Sequence, residues 1–176
     1  IILTAILVFA QVCQGNWPLY MHDSQHSGYV AEGYIESPYL LWERPIGMSD
    51  VPMVYGNNTL WVAVGKKLFG INERGDIIHS MEYDSSIMAM ACYGDNVVVI
   101  TGEGVYFGDE HISMDIYSTI PPVLADGILY LCSLNMLYTI DLQTMEYNLT
   151  EFNNNLTSIC LADDAIVVAE EFCIHY

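Results

Sequence analysis

One strand–turn–strand unit returns four times along this chain, and the recurrence restricts the fold more than any other feature. Its clearest copy is Leu124–Thr144, LADGILYLCSLNMLYTIDLQT. Asp126-Gly127 opens it, Ile128–Cys132 and Met136–Ile140 are apolar runs of strand formers, and Ser133-Leu134-Asn135 turns between them. An Asp-Gly pair between apolar runs signals a hairpin, because glycine adopts positive φ without steric cost. Displaced by 69 residues, Tyr55–Asn72 falls on Leu124–Asp141 without a gap. Tyr93–Glu110 fits at an offset of 31, and Leu161–Tyr176 fits at 37. The anchor positions Asn57, Asp95, Asp126 and Asp163 therefore lie 38, 31 and 37 residues apart.

A period of roughly 30–45 residues holding about four short strands is the mark of a propeller blade. Helical repeats of that length need apolar spacings of three and four, whereas runs such as Val97–Thr101 are continuous and β-branched. Continuous runs suit inner blade strands, which pack on both faces. The expected fold is all-β: an incomplete β-propeller of four-stranded antiparallel blades, in preference to a sandwich with regularly spaced strands. The predicted strands of the first full blade are Pro52–Tyr55, Thr59–Val64, Lys67–Ile71 and Ile77–Tyr83. Those of the second are Met88–Tyr93, Val97–Thr101, Val105–Phe107 and Ile112–Tyr117. The third has Pro122–Leu124, Ile128–Cys132, Met136–Ile140 and Met145–Leu149, and Ser158–Leu161, Ala165–Ala169 and Phe172–Tyr176 begin a fourth. By register Tyr176 falls inside a strand, so the chain is expected to be a fragment.

Residues 1–15 stand apart. Ile1–Val12 is an uncharged apolar run, shorter than the roughly 20 residues a bilayer-spanning helix needs. It reads as the h-region of a secretory signal peptide, with a cut after Gly15, or as an N-terminal anchor, the one expected link to a membrane. The expected localisation is extracytoplasmic. Residues 16–176 are then the N-terminal part of the propeller domain.

The polar stretch Asn16–Tyr29 places His22 and His26 four apart, with Asp23 between them. That spacing could hold zinc on a helix. Pro18, Ser24, Ser27 and Gly28 argue for a capping loop instead, so the three are weak metal candidates. The same stretch, Trp17-Pro18-Leu19-Tyr20-Met21-His22-Asp23-Ser24-Gln25-His26-Ser27-Gly28-Tyr29, resembles the opening motif of secreted archaeal and bacterial PQQ-like (quinoprotein-type) β-propeller proteins. Leu40–Gly47 is similar to that family's blade-closing strand, and Pro122–Leu131 with Leu137–Asp141 keeps much of its repeat. The resemblance covers Trp17 to Tyr176 and implies a parent of six to eight blades. The blade-closing turn departs from the family pattern at Glu73–Asp76 and Gln143–Glu146, and Tyr and Met are expected where the family often stacks tryptophan.

Four basic residues oppose 22 acidic ones, for a net charge of −18. Such a field repels phosphate backbones and argues against nucleic-acid binding. The sequons at Asn57, Asn148 and Asn155 are glycosylation candidates at predicted turns or strand ends. Cys92, Cys132, Cys160 and Cys173 are expected mainly as small buried residues, with Cys92 and Cys160 at equivalent places. A disulfide from Cys132 or Cys160 to Cys173 is left open.

The chain carries no G-x-S-x-G, P-loop, H-E-x-x-H or EF-hand pattern. The acidic pairs Asp109-Glu110, Asp163-Asp164 and Glu170-Glu171 are expected as solvated surface rather than Ca²⁺ ligands. The family's dehydrogenases carry vicinal cysteines over the cofactor, and this chain has none. The expected function is a non-enzymatic extracytoplasmic interaction or scaffold module with protein partners and no cofactor. Its candidate interaction loops are Lys66-Lys67 and Asp109-Glu110-His111. The alternatives are a fragment of a PQQ- and Ca²⁺-dependent quinoprotein dehydrogenase, and a cell-surface glycoprotein or adhesin domain.

Overall fold

The structure, a computed structural model, describes residues 5–7, 40–117, 120–163, 165–171 and 173–175. Two short strands, β1 (Ala5–Leu7) and β2 (Trp42–Arg44), pair antiparallel. Blade 1 is a four-stranded meander of β3 (Val54–Gly56), β4 (Thr59–Val64), β5 (Lys67–Asn72) and β6 (Ile77–Glu82). Blade 2 repeats it with β7 (Ile87–Tyr93), β8 (Asn96–Thr101), β9 (Gly104–Phe107) and β10 (Glu110–Ser113). Blade 3 consists of β11 (Val123–Ala125), β12 (Ile128–Ser133), β13 (Met136–Asp141) and β14 (Glu146–Glu151). Blade 4 shows three strands, β15 (Leu156–Ala162), β16 (Ala165–Glu170) and β17 (Cys173–His175). The chain is an all-β propeller of antiparallel blades, incomplete in that the described sheets do not close into a ring.

The continuous apolar runs follow from what each blade touches. Side chains alternate across a strand. In β4, Trp61 and Ala63 face blade 2, while Leu60 and Val62 pack with Ile71 under Trp42 and Ile46. In β8, Val97 and Val99 face blade 1, and Val98 and Ile100 face Leu129 and Leu131 of blade 3. Cys132 on the opposite face of β12 packs with Ile159 and Val168 of blade 4. Most residues of the inner strands have no solvent face to reserve for polar groups, so hydrophobic residues occupy both parities. Each fully buried Val, Leu or Ile contributes about 1.5–3 kcal/mol of transfer free energy. The outer strands show the converse: β6 and β14 are exposed along their whole length.

The turns repeat a common solution. Asn72 Oδ1 accepts from the backbone N–H groups of Arg74 and Asp76, each at 2.9 Å. Its counterpart 69 residues later, Asp141, accepts from Gln143 at 2.8 Å and Thr144 at 3.2 Å. In blades 1 and 3 a side-chain amide or carboxylate thus satisfies the turn's own backbone donors.

Several expectations need correction. The last strand of blade 2 is Glu110–Ser113, not Ile112–Tyr117. A tight turn at Gly108-Asp109 sets its register, and Met114 and Ile116 instead donate to the carbonyls of Glu103 and Gly102 at 3.0 and 3.1 Å. The blade-2 counterpart of Asn57, Asp126 and Asp163 is Gly94, not Asp95: all four open a first hairpin turn with φ between 48° and 57°. A one-residue slip exchanges the faces of a strand. It follows that Cys92 corresponds to Leu161 rather than to Cys160. Cys92 is buried against blade 1, whereas Cys160 is half-buried. Cys92, Cys132 and Cys160 are free thiols, which removes the disulfides considered for Cys132 and Cys160. Finally, Glu170 is buried rather than solvated, at 6% exposure.

Candidate functional site

Successive turns of a meander lie at opposite ends of its sheet, and this separates the two predicted interaction loops. Gly65-Lys66 joins the second and third strands of blade 1, whereas Gly108-Asp109 joins the third and fourth strands of blade 2. Lys66 and Asp109 therefore sit at opposite ends of the blades. The second-to-third turns are tied to the next blade. The Lys66 and Gly65 carbonyls accept from Tyr83 and Ile87, both at 2.9 Å, and those of Asn135 and Leu134 accept from Phe152 and Leu156, both at 2.8 Å. The Lys66 ammonium donates to the Asp84 carbonyl, and Lys67 lies 3.8 Å from Glu82 across the β5–β6 pair. Glu110 and His111 lie on the outer strand β10 rather than in a loop.

A cleft of about 270 Å³ opens between the outer parts of blades 1 and 2. Trp61, His79, Met81 and Tyr83 form the blade-1 wall, and Tyr106 stands on the blade-2 wall. Gly70 explains how the first wall is built. It pairs with Trp61 on one side and His79 on the other. With no side chain there, the two rings stack across it, with centroids 5.3 Å apart and planes at 19°. A Cβ at Gly70 would lie 3.0 Å from atoms of both rings. On the facing wall, directly paired Tyr106 and His111 stack at 4.1 Å and 10°, and Tyr83 meets Tyr106 edge-on at 4.9 Å.

Asp95 and Asp109 lie at one end of this cleft, on exposed turns. Burial first, then the negative charges of Asp84 and Glu103, push the Tyr106 phenol above its ordinary value. Burial, with Tyr106 beside it, does the same to Tyr83. The cleft is therefore aromatic on its walls and negatively charged around them. The sequence pattern marked Asp109 and His111 but missed the aromatic wall, since the anchor-based repeat does not show which side chains of neighbouring blades face one another.

Two other places hold polar or open features. The last residues of β8, β12 and β16 are Thr101, Ser133 and Glu170, all buried. Each meets the segment beside it. Thr101 Oγ1 accepts from the Glu103 N–H at 3.2 Å, and Ser133 Oγ accepts from the Tyr117 N–H at 2.9 Å. Glu170 accepts from the Asn154 amide at 2.8 Å and contacts the His175 ring at 3.1 Å. The Asn154 bond, with smaller help from His175, holds the Glu170 carboxyl below its ordinary range. A second cleft, of about 210 Å³, lies where β7 begins, lined by Val51, Pro52, Met88 and Pro122 among others.

His22, Asp23 and His26 lie outside the described residues. Among the described residues no group of three or more His, Cys, Asp and Glu side chains could hold a metal ion. No described helix is long and apolar enough to cross a membrane. Asn57, Asn148 and Asn155 are all exposed: Asn57 in the first turn of blade 1, Asn148 within β14 rather than at a turn, and Asn155 just before β15.

No family model and no curated protein matches the sequence. Solved structures do match the fold. The computationally designed Ika8 protein is similar over 80% of this chain and 49% of its own, with 12% identity and a TM-score of 0.62. The designed Ika4 protein matches over 74% of this chain and 99% of its own, at 10% identity and a TM-score of 0.56. Kluyveromyces lactis Hsv2 matches over 76% and 48%, at 15% identity and a TM-score of 0.57. The chain spans about half the length of Ika8 and of Hsv2. At these identities the likeness establishes the β-propeller fold and nothing finer.

Proposed function

We propose that this chain is an extracytoplasmic interaction module, a propeller scaffold that recognises a protein partner without catalysing a reaction. The observation that carries the reading is where its chemistry sits. The blade interfaces are packed mainly by hydrocarbon, and a group of aromatic side chains with Asp95 and Asp109 lines a surface cleft on the antiparallel frame. A frame of that kind presents a recognition surface whose geometry is set before a partner arrives. The apolar leader at 1–15 and three exposed sequon asparagines support an extracytoplasmic setting.

Two measurements test the reading. The purified chain is supplied with PQQ and Ca²⁺ and assayed for dye reduction with alcohols and sugars. No turnover is expected, and sustained turnover would replace the interaction module with a quinoprotein dehydrogenase. Secreted expression in a glycosylating host is expected to add glycan mass at Asn57, Asn148 and Asn155. Unmodified sequons in protein recovered from the medium would remove the support that those residues lend.

A further inference from the structure

We infer that the cleft between blades 1 and 2 receives a lysine or arginine side chain from a protein partner. The inference rests on the interaction-module reading and names the chemistry of the partner. A cation is attracted to the face of an aromatic ring by the ring quadrupole, and more strongly when carboxylates share its surroundings. Tyr83 and Tyr106 are half-buried in the cleft, beside the stacked Trp61–His79 pair. Asp95 and Asp109 stand at one end, and Asp84 and Glu103 act on Tyr106. Among the described residues no Lys or Arg lines the cleft, and Lys66, bonded to the Asp84 carbonyl, is engaged elsewhere. A net charge of −18 draws cations from a distance, and the cleft provides a defined place for one. A volume of about 270 Å³ is just below the range of small-molecule pockets, roughly 300–1,000 Å³, and suits one long side chain.

The repeat itself supplies a control. Sixty-nine residues later, Tyr130, Thr139, Asn148, Thr150 and Phe152 stand where blade 1 has Trp61, Gly70, His79, Met81 and Tyr83. Blade 3 keeps its fold and its tie to the next blade without the stacked wall. Folding of the repeat in blade 3 does not require a counterpart of the Trp61–His79 stack, so the stacked wall is particular to the blade 1–2 cleft.

The test is a titration of the isotope-labelled 176-residue chain with a tetra-arginine peptide. It is run at about pH 8, where free histidine is neutral, and about 150 mM salt. NMR shifts are expected at Trp61, Tyr106, Asp95 and Asp109, with no binding by the uncharged tetra-citrulline peptide. D95N/D109N is expected to weaken binding by about tenfold or more, and Tyr106→Leu by about fivefold. E146Q/E171Q removes the same two charges from exposed positions in blades 3 and 4 and is expected to change binding by less than about twofold. Equal weakening in both double variants would reduce the effect to long-range attraction and overturn the inference. Shifts mapping to another surface would also overturn it while leaving the interaction module standing. PQQ-dependent turnover, in contrast, would defeat the module whatever the peptide does.

Discussion

Blade 2 meets its two neighbours differently. Its contact with blade 3 is closed by hydrocarbon: Val98, Ile100 and Val105 pack on Leu129, Leu131 and Ile140, and Ile112, Met114 and Ile116 join the same cluster from the end of the blade. Its contact with blade 1 begins the same way, with Val97 and Val99 against Ala63 and Leu68, and then gives way outward to Trp61, Tyr83 and Tyr106 around a cleft. One cause lies in the connections between blades. The segment leaving blade 2 is long and places Met114 and Ile116 inside the interface, whereas that leaving blade 1 is the short, largely polar Tyr83-Asp84-Ser85-Ser86. A single repeating backbone thus makes one interface that only holds the blades together and another that also presents chemistry to solvent.

The sharpest way to break this comparison is to weaken the sealed interface. Leu129→Ala removes a fully buried side chain between blades 2 and 3. It is expected to cost about 3–4 kcal/mol in chemical denaturation, because the close-packed walls collapse only partly into the space. Tyr106→Leu at the open interface should cost less than about 1.5 kcal/mol, since an apolar group still fills part of the volume and solvent already reaches the site. Equal losses would mean that the two interfaces do the same work.

Gly70→Ala comes next. Its Cβ would press on His79 and Trp61 at 3.0 Å, so the stack must open. A loss of about 1–2 kcal/mol is expected, together with loss of arginine-peptide binding. Thr139 in blade 3 shows that a side chain is acceptable at this register position where no such stack spans it. A G70A variant of unchanged stability and binding would show that the stack is incidental.

The thiols report on the interfaces separately. Burial pushes the Cys92 and Cys132 thiols up to about 12, so both remain protonated and unreactive at neutral pH. Iodoacetamide at about pH 8 is expected to leave Cys92 and Cys132 unlabelled until their interfaces open, with half-buried Cys160 labelled before either. The sign with pH follows. These raised values favour the protonated native state, so their contribution is complete below the ordinary thiol value of about 8.5. It falls as pH rises from there towards about 12. Early labelling of Cys92 but not Cys132 would mark the blade 1–2 contact as looser than the blade 3–4 contact.

The smallest effect belongs to Glu170. Its depressed value makes its contribution complete above the ordinary carboxylate value of about 4.3, and lost as pH falls through the lower folded value. Glu170→Gln should lower stability modestly near neutrality and flatten the acid limb of the profile, since the contribution normally lost on acidification is then already absent. An unchanged acid limb would show that the Asn154 and His175 contacts do not favour the ionised form.

Much of the frame is legible in the sequence. The predicted Thr59–Val64 is β4, and Ile128–Cys132 and Met136–Ile140 differ from β12 and β13 by one residue. These segments are unambiguous because apolar β-branched runs between turn residues have no competing helical period. Asp95 reads as the anchor because Gly94-Asp95 and Asp126-Gly127 place the same two residue types in opposite order, and only strand pairing shows which one opens the turn. The cleft was less accessible to sequence reasoning. Trp61 reads as an inner-strand aromatic and His79 as an exposed outer-strand residue, and nothing local connects them.

What the sequence determined by itself is therefore the blade: its strand order, its turns, and the two-sided burial written into runs such as Val97–Thr101. Local propensity and a period near that of a blade are sufficient for this, because each blade is built from contacts close in sequence. What only the tertiary structure decided is which faces meet and where they part. The facing of Trp61 and Tyr106, the burial of Glu170, and the placement of Lys66 and Asp109 at opposite ends depend on register and on packing between blades. A one-residue shift in register reverses the face a side chain occupies, and no property of the side chain alone records that choice.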